Sequence, residues 1–189
     1  MKMNYKPPML IILCLLLSSC VALVAAGAAG GLIVYDKRSV SMIERDARIF
    51  YVLRKAIVAN PEFAESHIVI SSFNQIVLLA GQTPSASLRV QAEKIAKNTP
   101  EVLRVYNEMT IDDPISLTER SKDSWITGQV KAKMITKKGL ESGSIRVVTE
   151  NGVVYLMGIA TREQADLAVN VARHVPHVRK VVKVFRYIV

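Results

Sequence analysis

IVISSFNQIVLLAG, residues 68–81, returns 77 positions later as IRVVTENGVVYLMG, residues 145–158. Each copy is a pair of apolar runs about a polar dipeptide, closed by a glycine. Asn151-Gly152 is a strong hairpin signal, because both central positions of a type I′ turn need positive φ. The first copy has Asn74-Gln75 there, which predicts a less well-formed turn or one of another type. The match extends without a gap over 46–81 against 123–158, pairing Asp46 with Asp123, Ile49 with Ile126, Leu53 with Val130 and Ile57 with Met134. After a one-residue slip it resumes at an offset of 76, with Ala92, Ala96, Pro100 and Val105 facing Ala168, Ala172, Pro176 and Val181. Such self-similarity makes the chain a tandem of one small unit.

Each unit reads as helix, strand, strand, helix, strand, an α+β arrangement of two helices on a three-stranded sheet. Ile49, Leu53 and Ile57 recur at helical spacing after Asp46, a candidate N-cap, and Ile126, Val130 and Met134 do the same after Asp123. Gly81 and Gly158 are expected to end the second strands, where a missing Cβ permits a sharp exit or a close backbone approach. Second helices are expected near 85–98 and 162–174, stopped by Pro100 and Pro176, with last strands near 103–111 and 178–189. Two helices cover one face of such a sheet, yet Ile76-Val77-Leu78-Leu79-Ala80 and Val153-Val154-Tyr155-Leu156-Met157 are apolar on both faces. Part of the second face should therefore be buried between the units.

Ahead of the repeats stands signal-peptide anatomy: Lys2 and Lys6, an apolar stretch from Met9 to Leu17, then Leu17-Ser18-Ser19-Cys20. The last four residues resemble a bacterial lipobox, which implies cleavage before Cys20 and acylation of that cysteine. Val21 after it, by the same resemblance, implies an outer-membrane anchor facing the periplasm. Cys14 is then discarded, leaving no second cysteine for a disulfide within one chain. The competing expectation is an uncleaved transmembrane helix, since Met9 to Tyr35 is apolar almost throughout and a span needs only ~20 residues. Gly27, Gly30, Gly31 and the alanines between 22 and 29 read better as a tether. The plan is signal peptide 1–19, tether 20–45, first unit 46–111, linker 112–122 and second unit 123–189.

Charge is unevenly shared. Residues 46–111 hold seven Lys or Arg against six acids, whereas 123–189 hold eleven against five. An exported chain with a basic half points to an anionic membrane surface or an acidic envelope partner rather than to nucleic acid; generic solubility is the other explanation.

The element order, paired glycines and duplication together resemble the BON domain family of bacterial envelope proteins. The resemblance covers 46–111 and 123–189 and is carried most closely by Asp123-Ser124-Trp125-Ile126-Thr127, Val147-Val148-Thr149-Glu150-Asn151-Gly152, Leu156-Met157-Gly158 and Val105-Tyr106-Asn107-Glu108. It implies a non-catalytic outer-membrane lipoprotein. The same resemblance implies binding of anionic phospholipid, chiefly phosphatidylglycerol, through the second BON domain, in support of outer-membrane integrity.

The residues offer a mechanism beside that resemblance. On the helix after Asp123, Trp125, Gly128, Gln129 and Ala132 form a stripe apart from the core stripe, with Lys131 and Lys133 on either side and Ile135 near its end. Tryptophan among small residues suits a bilayer interface, and Lys137 and Lys138 add charge beyond the helix. Alternatively, Trp125 packs against the other domain or the linker. Another expectation is a docking module for outer-membrane assembly or cell-wall remodelling machinery, and a third a stalk-like spacer. No catalytic constellation, cofactor motif or glycine-rich phosphate loop emerges. His67 stands apart from any ordered acid or nucleophile, and His174 and His177 make a weak metal site.

Overall fold

The computed structural model describes Asp36 and residues 38–188. The first unit runs α1 (Val40–Val58), β1 (His67–Phe73), β2 (Ile76–Thr83), α2 (Ala86–Lys97), β3 (Arg104–Asn107) and β4 (Thr110–Ile111). The second runs α3 (Leu117–Thr136), β5 (Ile145–Glu150), β6 (Val153–Ala160), α4 (Arg162–Arg173) and β7 (Lys180–Tyr187). In each, an antiparallel hairpin is joined by a helical crossover to a parallel third strand, giving the orders β1-β2-β3 and β5-β6-β7. The third strand of the first unit is interrupted. Met109 turns into the core, and β4 rejoins β2 beyond it at Gln82 and Thr83.

The leading helices start earlier than the Asp46 and Asp123 signals suggest. α1 is capped by Ser39, whose side chain accepts from the Met42 N–H, and α3 by Ser116 in a reciprocal capping box with Glu119. Residues 117–122, the end of the expected linker, open α3. The residues before each aspartate are mostly good helix formers, so the true caps lie seven residues upstream. Asp46 and Asp123 sit instead within their helices, buried, with their carboxylates turned toward the hairpin.

There they set the turns. Asp123 accepts from the N–H groups of Asn151 and Gly152 at 2.7 and 2.8 Å, and Asp46 from those of Asn74 and Gln75 at the same two distances. Asn151 and Gly152 have φ of 48° and 69°, as a type I′ turn requires; Asn74 and Gln75 have 52° and 61°. The expectation of a weaker or different first turn is thus overturned. A carboxylate taking both turn amides holds Gln75 in a left-handed conformation that its own chemistry disfavours.

The glycines act by close approach. A Cβ on Gly81 would run into the His67 carbonyl oxygen, and one on Gly158 into that of Ser144. Both strands continue two residues past their glycine rather than ending there.

Alternation along the central strands divides the core into three layers. Val77 and Leu79 face α1 and α2, meeting Ile49, Leu53, Ala92 and Ala96; Val154 and Leu156 face α3 and α4, meeting Ile126, Val130, Ala168 and Ala172. The opposite faces meet each other: Phe73, Ile76, Leu78 and Ala80 pack on Tyr155, Met157 and Val184. The two apolar faces are therefore buried sheet against sheet, and the helices cover the outer sides in an α/β/β/α order. Burying such side chains contributes about 1.5–3 kcal/mol each, which makes the pair of units one body rather than two beads.

Polar groups tie the seam. Gln82 donates to Glu150 across it at 2.9 Å, and His67 lies 3.4 Å from the same carboxylate. Arg38 pairs with Asp36 and Asp46, both at 2.6 Å, and lies over the Phe73 ring at 4.1 Å, while Arg146 of the second unit approaches that ring at 5.4 Å. The Arg38 hydrogen bond holds the Asp36 carboxyl below the usual carboxylate range. Burial, then the nearby Arg38 charge, lowers Arg146.

Candidate functional site

The outer face of α3 is shaped by what the core leaves over. Ile126, Val130 and Met134 are consumed inward, so the 3.6-residue period presents Trp125, Gly128 and Ala132 outward, all exposed, with Gln129 half-buried beside them. Trp125 is 47% exposed. Nothing lies within 4 Å of the position a Gly128 side chain would take, so this glycine leaves open surface rather than relieving a contact. Lys131 and Lys133 are exposed on either side, Ile135 is half-buried, and Lys137 and Lys138 are exposed where α3 ends. Cations there also complement the helix dipole. Cys20 lies outside the described residues.

Among the described residues Trp125 has one aromatic partner, His177, edge-to-face at 6.0 Å and 65°. Duplication gives this pair its meaning. The corresponding residues of the first unit are Arg48 and Glu101, which form an ion pair at 3.3 Å. Glu101 and His177 even share a φ of 68°, each following the proline that ends the preceding helix. One framework thus carries an ion pair in the first unit and an aromatic pair in the second. Sequence reasoning weighed His177 only as a weak metal ligand and missed it as the tryptophan's support. The offset of 76 that aligns Pro100 with Pro176 was the signal that could have found it.

A cleft of about 240 Å³ adjoins this pair, lined by Glu119, Lys122, Asp123, Asn151, Gly152, His177 and Arg179. Its two carboxylates are already engaged, Glu119 by the Ser116 cap and Asp123 by the turn amides. The Ser116 N–H is the first cause holding Glu119 below the usual carboxylate range. The other histidines are also occupied: His174 Nδ1 lies 2.6 Å from the Asn170 carbonyl oxygen, and His67 faces Glu150. Among the described residues no group of three His, Cys, Asp or Glu could hold a metal ion. Among them, too, no helix is long and apolar enough to cross a membrane.

A hairpin clamped by a mid-helix aspartate, crossed over to a parallel strand and repeated, defines a tandem pair of α+β modules. The chain belongs to the BON domain family, which it matches twice, over residues 45–113 and 122–188. It is similar to the outer membrane lipoprotein DolP of Haemophilus influenzae, at 34% identity over 88% of this chain and 87% of that one. It also resembles the 21 kDa hemolysin of Actinobacillus pleuropneumoniae, at 38% identity over 66% and 64% of the two chains. A third relative is the osmotically-inducible protein Y of Escherichia coli, at 26% identity over 82% and 78%.

Proposed function

We propose that this chain is a lipoprotein of the outer membrane, anchored through acylated Cys20 and facing the periplasm, whose second BON domain binds anionic phospholipid through α3. In this reading it supports outer-membrane integrity without catalysing a reaction. The similarity to an outer membrane lipoprotein supports the compartment. The observation that carries the site is the exchange of the Arg48–Glu101 ion pair for Trp125 on His177. That exchange places a half-exposed indole beside Gly128 and Ala132, where a ring with an apolar body and a polar N–H suits the bilayer interface. Lys131, Lys133, Lys137 and Lys138 flank it, and each basic residue held near an anionic surface contributes about 1 kcal/mol. Acyl chains alone would hold the protein at a membrane. The role left for α3 is to set orientation and to select lipid composition.

Flotation of residues 36–189 with phosphatidylglycerol or phosphatidylcholine vesicles tests this. The expected result is co-flotation and a blue shift of Trp125 fluorescence with the anionic lipid alone, weakening as salt screens the lysines. Trp125→Glu should abolish co-flotation while leaving the full chain in the outer-membrane fraction, since the side chain is not in the core. Unchanged vesicle binding by this variant would defeat the assignment. Binding that ignores lipid identity and needs a protein would move the function to docking on outer-membrane assembly or cell-wall remodelling machinery.

A further inference from the structure

The first BON domain has an open sheet edge along β1. β1 is the terminal strand of its sheet, and the two-residue turn fixes which of its backbone groups are free. Phe73 and Ile76 flank that turn, which makes them a hydrogen-bonded pair. Alternation then directs Ser71 and Val69 to β2 and leaves the N–H and C=O groups of Ile68 and Ile70 pointing away from the sheet. Neither residue makes a backbone bond to any other element among the described residues. In β5 the positions matching Val69 and Phe73 are Arg146 and Glu150, whose charges are turned into the seam between the domains. The outer half of β1 reads Ile-Val-Ile, with neither charge nor proline.

Alongside that edge runs a groove of about 380 Å³ between β1 and the C-terminal half of α1. Ile57, Phe63, Ile68 and Ile70 supply an apolar floor, with Phe50 and Arg54 toward α1. Ile68 and Ile70 thus contribute twice, with outward backbone to the edge and side chains to the groove. Arg54 is exposed, with its guanidinium 6.0 Å from the Phe50 ring centroid, and among the described residues no carboxylate pairs with it.

We infer that this edge and groove form a peptide-binding site that takes an extended segment of a partner protein as an added strand on β1. Free main-chain donors and acceptors demand an extended backbone, and the groove admits the alternate, apolar side chains of such a strand. Arg54 at the rim selects a segment carrying a carboxylate. The site belongs to the first domain and is independent of the lipid contact assigned to α3.

The probe is a synthetic octapeptide of alternating valine and threonine with one glutamate, titrated into the full chain held in zwitterionic nanodiscs. The expected result is slower amide exchange at Ile68 and Ile70, by about tenfold at saturation. A version N-methylated at alternate amides should bind at least about tenfold more weakly. Arg54→Glu should weaken the acidic peptide by about tenfold and spare one with glutamine in place of glutamate. Trp125→Glu should change none of this, so failure here is distinct from failure of the lipid assignment. No protection at about 1 mM peptide, equal binding of the N-methylated version, or protection confined to other strands would overturn the inference. So would displacement of the peptide by octanoate without competition from the N-methylated control, which marks an acyl-chain groove.

Discussion

Asp46→Asn and Asp123→Asn remove the same charge from twin sites that lean on it unequally. Asp123 serves two turn amides. Asp46 serves two turn amides, the Ser72 hydroxyl at 2.8 Å and Arg38 at 2.6 Å. A hydrogen bond to a charged group contributes about 1.5–3 kcal/mol, and asparagine keeps one of the acceptor oxygens, so Asp123→Asn should cost about 2 kcal/mol. Breaking a buried ion pair costs about 3–5 kcal/mol, but Asp36 stays on Arg38, which puts Asp46→Asn near 4 kcal/mol in total. The backbone widens the gap, because Gln75 at φ 61° lacks the freedom of Gly152. Gln75→Gly in the Asp46→Asn chain should recover about 1 kcal/mol. Urea unfolding gives the energies, and amide exchange at Asn74 and Gln75 shows whether the turn opens. Asp46→Asn costing no more than Asp123→Asn, with those two amides still protected, refutes the clamp.

Gly158→Ala drives a methyl into the Ser144 carbonyl oxygen and should cost about 3 kcal/mol, whereas Gly128→Ala, on open helix surface, should stabilise by up to about 1 kcal/mol; thermal unfolding of the two separates packing from propensity. Leu78→Ala empties a fully buried place in the seam and should cost about 2–5 kcal/mol, with NMR shifts appearing at Tyr155, Met157 and Val184 of the other domain. Burial, then the charges of Glu108 and Glu150, pushes the Tyr155 phenol up to about 12 from 10. The folded state therefore favours the neutral phenol, so its contribution is whole below pH 10 and is lost as pH rises through 12. The loss should total roughly 2–3 kcal/mol, followed by urea unfolding across that window, and Tyr155→Phe should remove it.

Much of this fold is legible in the repeat itself, because Ile76 to Ala80 and Val153 to Met157 are apolar on both faces and so require two coverings. That pattern anticipated the seam between the domains. The helix starts were not legible. Asp46 and Asp123 precede apolar stripes as an N-cap does, and only the folded hairpin shows that each carboxylate belongs to a turn 28 residues away. The Asn74-Gln75 turn misled for the same reason: local propensity argues against it, and a distant charge overrides propensity. At the candidate site, period and spacing gave the outward stripe of Trp125, Gly128 and Ala132. They could not give His177, which meets Trp125 only after the chain has passed through β5, β6 and α4.

The two aspartate clamps also assign the hairpins different moments in folding. Asn151-Gly152 is preorganised, so β5 and β6 can close from local chain alone, on the microsecond scale of isolated hairpins. Asn74-Gln75 gains its geometry only when Asp46 arrives on a formed α1, which makes the first hairpin a product of helix docking. Mutations at Asn151 should then slow folding, and mutations at Asn74 chiefly speed unfolding. On this order the second unit would supply the nucleus, and the first, with its open β1 edge, would complete its hairpin later.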